Sequence, residues 1–549
     1  MILSNEKLAA KYVAEGVWGR VTLDALLRRN AQTMPGETAL IETDGAGKMV
    51  RSLTYAELEE QIAGLSGFFT SVGLKPDMYV VEQLPVGAEA LIALFGTVRA
   101  GLISVPVSPL LGEAELTAVA AALSPKALLT TASDGPAAAE RMRHLAADSF
   151  SVRFVCAFGE EVPDGVVPLD LIIGSPELAD PANSAAIVRK GNGADHIATV
   201  SWSEIAEGAA PIARSHNHWI SAGLMHLVAA RLEKGCRIFS PYLPTGLVGL
   251  SAAVVPWLLT GGTLVLHRFD GLAGLAAAIS ETAPDYALMP AGLEGALAGR
   301  LGSEHPAIGL VHNDPAAARG AKGWQGAVVD IDRIGEIIAV PRYRDSAPAA
   351  ALPLGRIGAA FGAGSVGFLE TRLRGFARKA GTVAAGDSFS DGELVLRGPA
   401  VPDASLGLSE GNGGPTIDTE GFLHSGLVGR LASAEPATFQ LAGPVGDLLV
   451  VAGTQVRAAD LDRIYAEHEA VAAAAAVVVP DAIAGSRLRA AIVLQPGRNL
   501  SLEEFSRWLS ARGVAAHKIP IGLTIVERLP RADNGKIART IATRPAAAA

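Results

Sequence analysis

The residues best placed to do chemistry are a serine, two carboxylates and two imidazoles in the stretch SWSEIAEGAAPIARSHNHW, residues 201–219. It has the length and flanks of a phosphate-cradling loop entering a helix. Such a loop uses glycines for positive φ and close backbone approach, hydroxyls as donors, and a lysine for charge. Here Glu204 and Glu207 stand among the replacements. A carboxylate about 4 Å from one phosphate charge opposes binding by about 4 kcal/mol at an effective dielectric of about 20, on the order of a thousandfold in affinity. The stretch reads as a solvated turn between a strand and a helix. His216 and His218 are metal-competent types, but beside Ser215 they read as capping or surface residues. Elsewhere, Glu336 lies in a turn within VVDIDRIGEII, and Lys536 follows an Asn-Gly turn in ADNGKIAR.

Composition limits what these groups can serve. The chain has 549 residues, 49% hydrophobic and 19% charged, with 61 glycines. That length predicts one large multilayer domain and a smaller one, and the composition suits an α/β protein with buried parallel strands. Lysine and arginine total 46 against 56 acidic residues, a net charge of -10. No dense basic stripe follows a nucleic-acid backbone, so nucleic acid is not an expected partner. The two cysteines, Cys156 and Cys236, make neither a metal cluster nor a disulfide framework and fit a reducing cytosol as small core residues. Glu6, Lys7, Lys11 and Glu15 stand where a signal peptide would need an apolar run, so export is not expected. The apolar stretch 247–266 is broken by Pro256 and Gly261-Gly262, so it reads as a buried helix and a strand rather than a membrane span. The expected location is cytoplasmic.

Elements that position these residues follow from periodicity. Thr54 and Glu57 predict a capping box opening a helix through 71. YVVEQLP, LISVPVSP and ALLTT alternate with helices, as do HIATVSW, CRIFSP, TLVLHRF, YALMP and AIGLVHN, which predicts parallel sheet with right-handed crossovers. From about 352 to 442, glycine, proline and short strands such as GELVLRGP predict a β-rich subdomain, with an exposed loop at GLSEGNGGPTIDTEG. Past a Gly-Pro pair the tail carries a small strand and helix plan of its own.

This order of elements, ending in LPRADNGKIAR, closely resembles the adenylate-forming superfamily of AMP-dependent acyl-CoA synthetases, peptide-synthetase adenylation domains and luciferases. LTYAELEEQIAGLSGFF, LIALFGTVRAGLISVPVSP, DGELVLRGP and VAGTQVRAADLDRIYAEHEAV carry the resemblance. It implies an α/β fold: a large N-terminal domain of parallel and mixed sheets with flanking helices, residues 1–442, including the β-rich subdomain. A hinge at 443–447 and a small mobile α+β C-terminal domain, 448–549, follow. The implied chemistry is activation of a carboxylate by ATP and magnesium to an acyl-adenylate, then transfer to the thiol of CoA.

The resemblance also assigns site positions. The family's T-S-G-T-T-G-x-P-K-G falls on 202–211, where Trp202, Glu204, Glu207 and Pro211 depart from it, Gly208 takes the open x position and Ser203 alone matches. Y-G-x-T-E falls on 332–336: Asp332 replaces the aromatic beside adenine, and Glu336 matches the glutamate that helps hold magnesium. Leu427 replaces the aspartate that accepts hydrogen bonds from the ribose, a loss of a few kcal/mol. In the hinge G-R-x-K-D the arginine position is Pro444, and Gly446 permits rotation. Lys536 matches the lysine that stabilises the forming acyl-phosphate bond. An acyl pocket is implied near Tyr242, Pro244, Thr245 and Gly246. These departures imply that ordinary ATP binding is weakened or lost. Three expectations stand: a divergent synthetase using Lys536 and Glu336; a pseudoenzyme with a degenerate ATP site that binds an acyl group, an acyl-CoA, a carrier protein or a homologous active subunit; and an enzyme of CoA thioesters working without ATP.

Overall fold

The computed structural model describes all residues except 180–188, 206–207, 304, 314–322, 345–350, 362–363, 376–390, 407–415, 446–447, 482, 531–536, 538 and 540–549. For 203–205, 208–210, 359–361, 364–366 and 444 only the backbone is described.

Two large sheets organise the first 343 residues. One has seven strands. Its members Tyr79–Glu82, Ile103–Pro106, Ala127–Thr131, Phe154–Phe158, Val167–Pro168 and Ile197–Ile205 are parallel, and Gly208–Ser215 closes one edge antiparallel. The other has eight strands. Arg237–Ser240, Thr263–His267, Tyr286–Pro290, Ala307–His312, Val328–Ile334 and Thr38–Thr43 are parallel, with the antiparallel strands Ile338–Tyr343 and Met49–Thr54 at its two ends. Parallel pairs joined through helices are what the alternating apolar runs predict.

The helix Ala88–Arg99 explains how the large core closes. Every residue from Ala90 to Val98 is buried, so the helix is apolar all round. It packs on the helix Tyr55–Ser71, where the Leu65 side chain lies over Gly96, a position with no room for a Cβ. That neighbour opens with the expected capping box: the Glu57 N–H donates to Thr54 Oγ1 at 3.2 Å, and the Thr54 N–H donates to Glu57 Oε2 at 2.7 Å. Leu91, Leu94, Phe95 and Trp257 are wholly buried in the same cluster, each contributing about 1.5–3 kcal/mol relative to exposure. The stretch 247–266 is helical through Thr260, ends on Gly261 at φ 65°, and re-emerges as the strand Thr263–His267. Among the described residues no helix is long and apolar enough to cross a membrane. Cys156 and Cys236 are buried free thiols.

Residues 352–444 form a six-stranded antiparallel sheet, the β-rich region of the expected α/β plan. Of its expected exposed loop, 407–415 lies outside the described residues. The strand Ala437–Pro444 runs through two positions expected in a hinge, since Gly443 pairs with Val428 and Pro444 with Leu427. From 448 onward the chain makes the hairpin Leu448–Val451 and Thr454–Arg457, then a three-stranded sheet flanked by the helices Ala458–Ala466 and Leu502–Ala511.

One buried acid ties strand to helix in the first sheet. Glu82 is 3% exposed and accepts hydrogen bonds from Thr97 Oγ1 and Ser104 Oγ, each at 2.8 Å. Burial raises its carboxyl from 4.5 to about 7 against the lowering effect of those hydroxyls. A folded-state value above the unfolded one means that this stability is fully present below about pH 4.5 and is lost as pH rises through 7. Linkage makes the loss about 3 kcal/mol. Glu82→Gln, neutral at every pH, is expected to raise the melting temperature at pH 8 much more than at pH 5. Equal shifts at the two pH values in thermal denaturation would contradict this account.

Candidate functional site

The stretch expected to form a loop before a helix is instead the tip of a β-hairpin. Val200 pairs with Ala213, Trp202 with Pro211, Ser203 with Ala210, Glu204 with Ala209, and Ile205 with Gly208. The physical reason lies in composition. Gly208 is the one glycine from 197 to 215, while Val200, Ile205 and Ile212 favour extended chain, so the ladder runs out to the Ile205–Gly208 pair. Pro211 is tolerated because this is an edge strand. The side chains of Ser203 and Glu204, and all of Glu207, lie outside the described residues. Trp202 is half-buried, and its Nε1 has no hydrogen-bond partner among them.

The helix begins only at His216. Ser215 caps it in a reciprocal box with His218, and the histidine ring also lies 3.4 Å from Asp403. His216 Nδ1 accepts the Leu23 N–H at 3.2 Å, and burial pushes its imidazole down to about 3, leaving it neutral. The capping reading therefore holds for His218, but both rings are buried rather than superficial.

Between hairpin and helix, Arg214 reaches across to the turn that carries Glu336. It is 1% exposed, donates to Ser201 Oγ at 2.9 Å and to the carbonyls of Glu336 and Ile337, the latter at 2.9 Å, and lies over the Trp219 ring at 5.0 Å. Its partners among the described residues are hydroxyl and carbonyl oxygens, and burial lowers its guanidinium to about 9. It still remains largely protonated near neutrality. The turn from Ile334 to Ile338 is thus clamped to the hairpin.

The Glu336 side chain is held from its own strand. Arg333 pairs directly with its carboxylate and donates Nε–H to the Gly335 carbonyl at 3.2 Å. Gly335 at φ 52° turns the chain so that positions 333 and 336 meet. Burial lowers Arg333 to about 10, and the Tyr242 phenol opposes that shift. The Tyr242 hydroxyl is buried without a hydrogen-bond partner among the described residues, and burial raises its pKa far above the usual phenol range. Pro244 and Thr245 are buried beside it, and Gly246 precedes the helix at Leu247.

Asp332, two places from Ile334, belongs to a different network. Its register partner is His312, and Arg342 donates to it at 2.9 Å. On the same strand face Asp330 accepts from His312 at 2.6 Å and from Arg344 at 2.9 and 2.6 Å. Burial alone would raise Asp330, but the bonds from His312 and Arg344 outweigh it and hold the carboxyl well below its ordinary range. Asp332 is therefore engaged in a charged lattice at the sheet edge. Leu427 is 2% exposed and packs with Phe439 and Leu441, a core residue where the resemblance asks for a ribose acceptor.

The hairpin after 448 completes the site. Its strand Thr454–Arg457 packs against Ile197–Ile205. A Cβ at Gly335 would lie 3.5 Å from Gln455 Oε1, and one at Gly426 3.5 Å from Leu448 Cδ1. Gly453 turns the hairpin at φ 78°, where a Cβ would lie 2.8 Å from Asn313 Oδ1 and 2.9 Å from Arg333 Nη1. The structure thus brings the Glu336 turn and the Gly426-Leu427 segment to the tail hairpin, whereas Trp202 packs against the cluster that holds Ile197, Val200 and Ala213. Tyr242 joins them through Arg333. Asp332 faces elsewhere, the Pro444 side chain is undescribed, and Gly446 and Lys536 lie outside the described residues. Sequence reasoning missed Arg214, Asn313 and Gly453, and it named Arg333 without its partner. The signals were present as an arginine inside an otherwise apolar strand and an Arg-x-Gly-Glu turn.

The architecture is two large mixed sheets, a six-stranded antiparallel third and a small α+β unit from residue 448 onward. The family description "AMP-binding enzyme" matches residues 27–182, and "AMP-binding enzyme C-terminal domain" matches 460–536. A salicyl-AMP ligase / salicyl-S-ArCP synthetase of Mycobacterium tuberculosis is 27% identical, covering 96% of this chain and 91% of that protein. The medium-chain fatty-acid–CoA ligase of Escherichia coli is 24% identical over 97% of this chain and 92% of that protein. Among solved structures, Mycobacterium smegmatis MbtA shares the fold with a TM-score of 0.64 at 23% identity, covering 98% of this chain and 97% of that one. The amide bond synthetase McbA of Marinactinospora thermotolerans does so at 0.71 and 20% identity, covering 94% and 98%. Residues 27–182 and 460–536 thus match the AMP-binding enzyme models, and over nearly its whole length the chain is similar to AMP-dependent acyl-CoA and acyl-AMP ligases.

Gly453→Ala is expected to lower the urea midpoint, costing roughly 1–2 kcal/mol through positive φ and the two close neighbours. Gly497, at φ 74° with nothing within 4 Å of a Cβ, isolates the backbone cost. Equal losses in Gly453→Ala and Gly497→Ala would contradict the packing assigned to the hairpin.

Proposed function

We propose that this chain binds an acyl group, as the carboxylic acid or its CoA or carrier-protein thioester, at the positions around Tyr242 that the family resemblance gives to the acyl group, and that it has lost ordinary adenylation by ATP and magnesium. The observation that carries this reading is the Arg333–Glu336 pair. The carboxylate at the family's magnesium position already has a cation. Leu427 offers no acceptor to a ribose, and in sequence Glu204 and Glu207 stand at two glycine positions of the family's phosphate loop.

Relatives supply the substrate class. Their names specify salicylate and medium-chain fatty acids, delivered to CoA or to a carrier protein. An acyl ligand suits the orphaned Tyr242 hydroxyl, because an acyl oxygen would accept the hydrogen bond that the free chain leaves unmade. In this reading residues 1–442 form the large domain, 443–447 the hinge and 448–549 the small domain, and Lys536 and Glu336 persist as inherited positions.

Exchange of labelled pyrophosphate into ATP, run with a broad panel of aryl and medium-chain acids, is expected to stay at the no-acid background; robust exchange with any acid would end this reading. A second expectation concerns Tyr242→Phe. Removing a buried hydroxyl that lacks a partner should leave the free chain as stable or up to about 1 kcal/mol more stable, while weakening acyl binding roughly threefold to tenfold. Calorimetry with salicylate, octanoate and their CoA thioesters, beside a thermal melt, reads both effects. Affinity unchanged for every one of these ligands would remove Tyr242 from the pocket.

A further inference from the structure

We infer that Arg333 is a built-in cation: its guanidinium takes the place of a divalent metal at Glu336, so that whatever this cleft binds is bound without metal. The inference rests on the proposed loss of ATP–magnesium binding and names the residue responsible for it.

Four observations converge on Arg333. Its guanidinium is in direct contact with the Glu336 carboxylate, and both side chains are mostly withdrawn from solvent, at 17% and 19% exposure. The turn geometry brings the two residues together, since Gly335 at φ 52° reverses the chain between them and its carbonyl accepts the Arg333 Nε–H at 3.2 Å. Arg214 fixes the same turn from behind through the Glu336 and Ile337 carbonyls, so the glutamate backbone cannot swing away independently. Finally, the other end of the guanidinium lies in the seam against the tail hairpin, close to Asn313 and the Cβ-less Gly453.

A hydrated magnesium ion needs near-octahedral oxygen ligation and retains several of its waters. Here it would have to displace a guanidinium that already satisfies Glu336 and would then sit beside that uncompensated positive charge. A guanidinium is a permanent cation with a planar donor array suited to carboxylate, so the exchange is unfavourable in both geometry and charge. The neighbouring carboxylates, Asp330 and Asp332, cannot assist, because His312, Arg344 and Arg342 hold them on another network.

The test uses manganese as the probe, titrated into the full chain without nucleotide and read by electron paramagnetic resonance of the free ion. Wild type is expected to bind no stoichiometric manganese at 1 mM. Arg333→Gly is expected to gain one site per chain at least tenfold tighter than any wild-type binding, and adding Glu336→Gln to it should abolish that site. Arg333→Met, which keeps the stem packed while removing the charge, should gain the site as well and covers the case in which the glycine variant does not fold. One manganese bound by wild type and lost in Glu336→Gln would overturn the inference, as would no gain in either Arg333 variant. Pyrophosphate exchange on the same preparations separates the two readings. Exchange by a wild type that binds no manganese refutes the proposed function alone, whereas manganese binding at Glu336 without exchange refutes the built-in cation alone.

Discussion

Two arginines hold the turn from Ile334 to Ile338, and the candidate site depends on that double grip. Arg214 bonds its backbone from the hairpin side, and Arg333 neutralises its one carboxylate from the strand side. The first is a buried cation whose partners are neutral oxygens, an arrangement tolerable because each contact is a charge-assisted hydrogen bond and Trp219 offers a ring face. The second is a local ion pair made inside a tight turn. Removing either partner of such a pair would strand a poorly solvated charge, and breaking buried pairs typically costs about 3–5 kcal/mol. The pair therefore resists replacement by a transient ligand.

This grip also explains how the parts of the chain communicate. The strand Ile197–Ile205 carries the hairpin tip at one end and packs against the tail strand Thr454–Arg457. Gln455 faces Gly335, Leu448 faces Gly426, and Gly453 sits over Arg333 and Asn313. Positions drawn from every sheet of the first 444 residues thus meet a single short hairpin of the tail. The seam is made by close approach at Gly335, Gly426 and Gly453, with the Arg333 guanidinium beside it.

Most of the fold was legible because it follows from local rules. Thr54 and Glu57 announce their capping box, the parallel strands read as short apolar runs, and Gly261-Gly262 breaks what would otherwise pass for a span. The site was legible only as a set of positions. That Trp202 to Pro211 forms a ladder depends on pairing across the hairpin, which the loop comparison obscured. Arg214 meets carbonyls more than a hundred residues away, a contact no spacing reveals. Asp332 and Glu336 were grouped by motif, yet the strand's alternation sends Asp332 toward His312 and Arg342 while the turn brings Glu336 back onto Arg333. The family resemblance came through the framework segments, whose apolar patterns preserve the fold whatever the site residues are.

The most direct test of the central claim is a crystal structure of the full chain grown or soaked with ATP and magnesium. The account predicts an intact Arg333–Glu336 contact, no metal density at Glu336 and no triphosphate along residues 202–211. Magnesium ligated by Glu336, with Arg333 swung aside and phosphates seated against the hairpin tip, would contradict it.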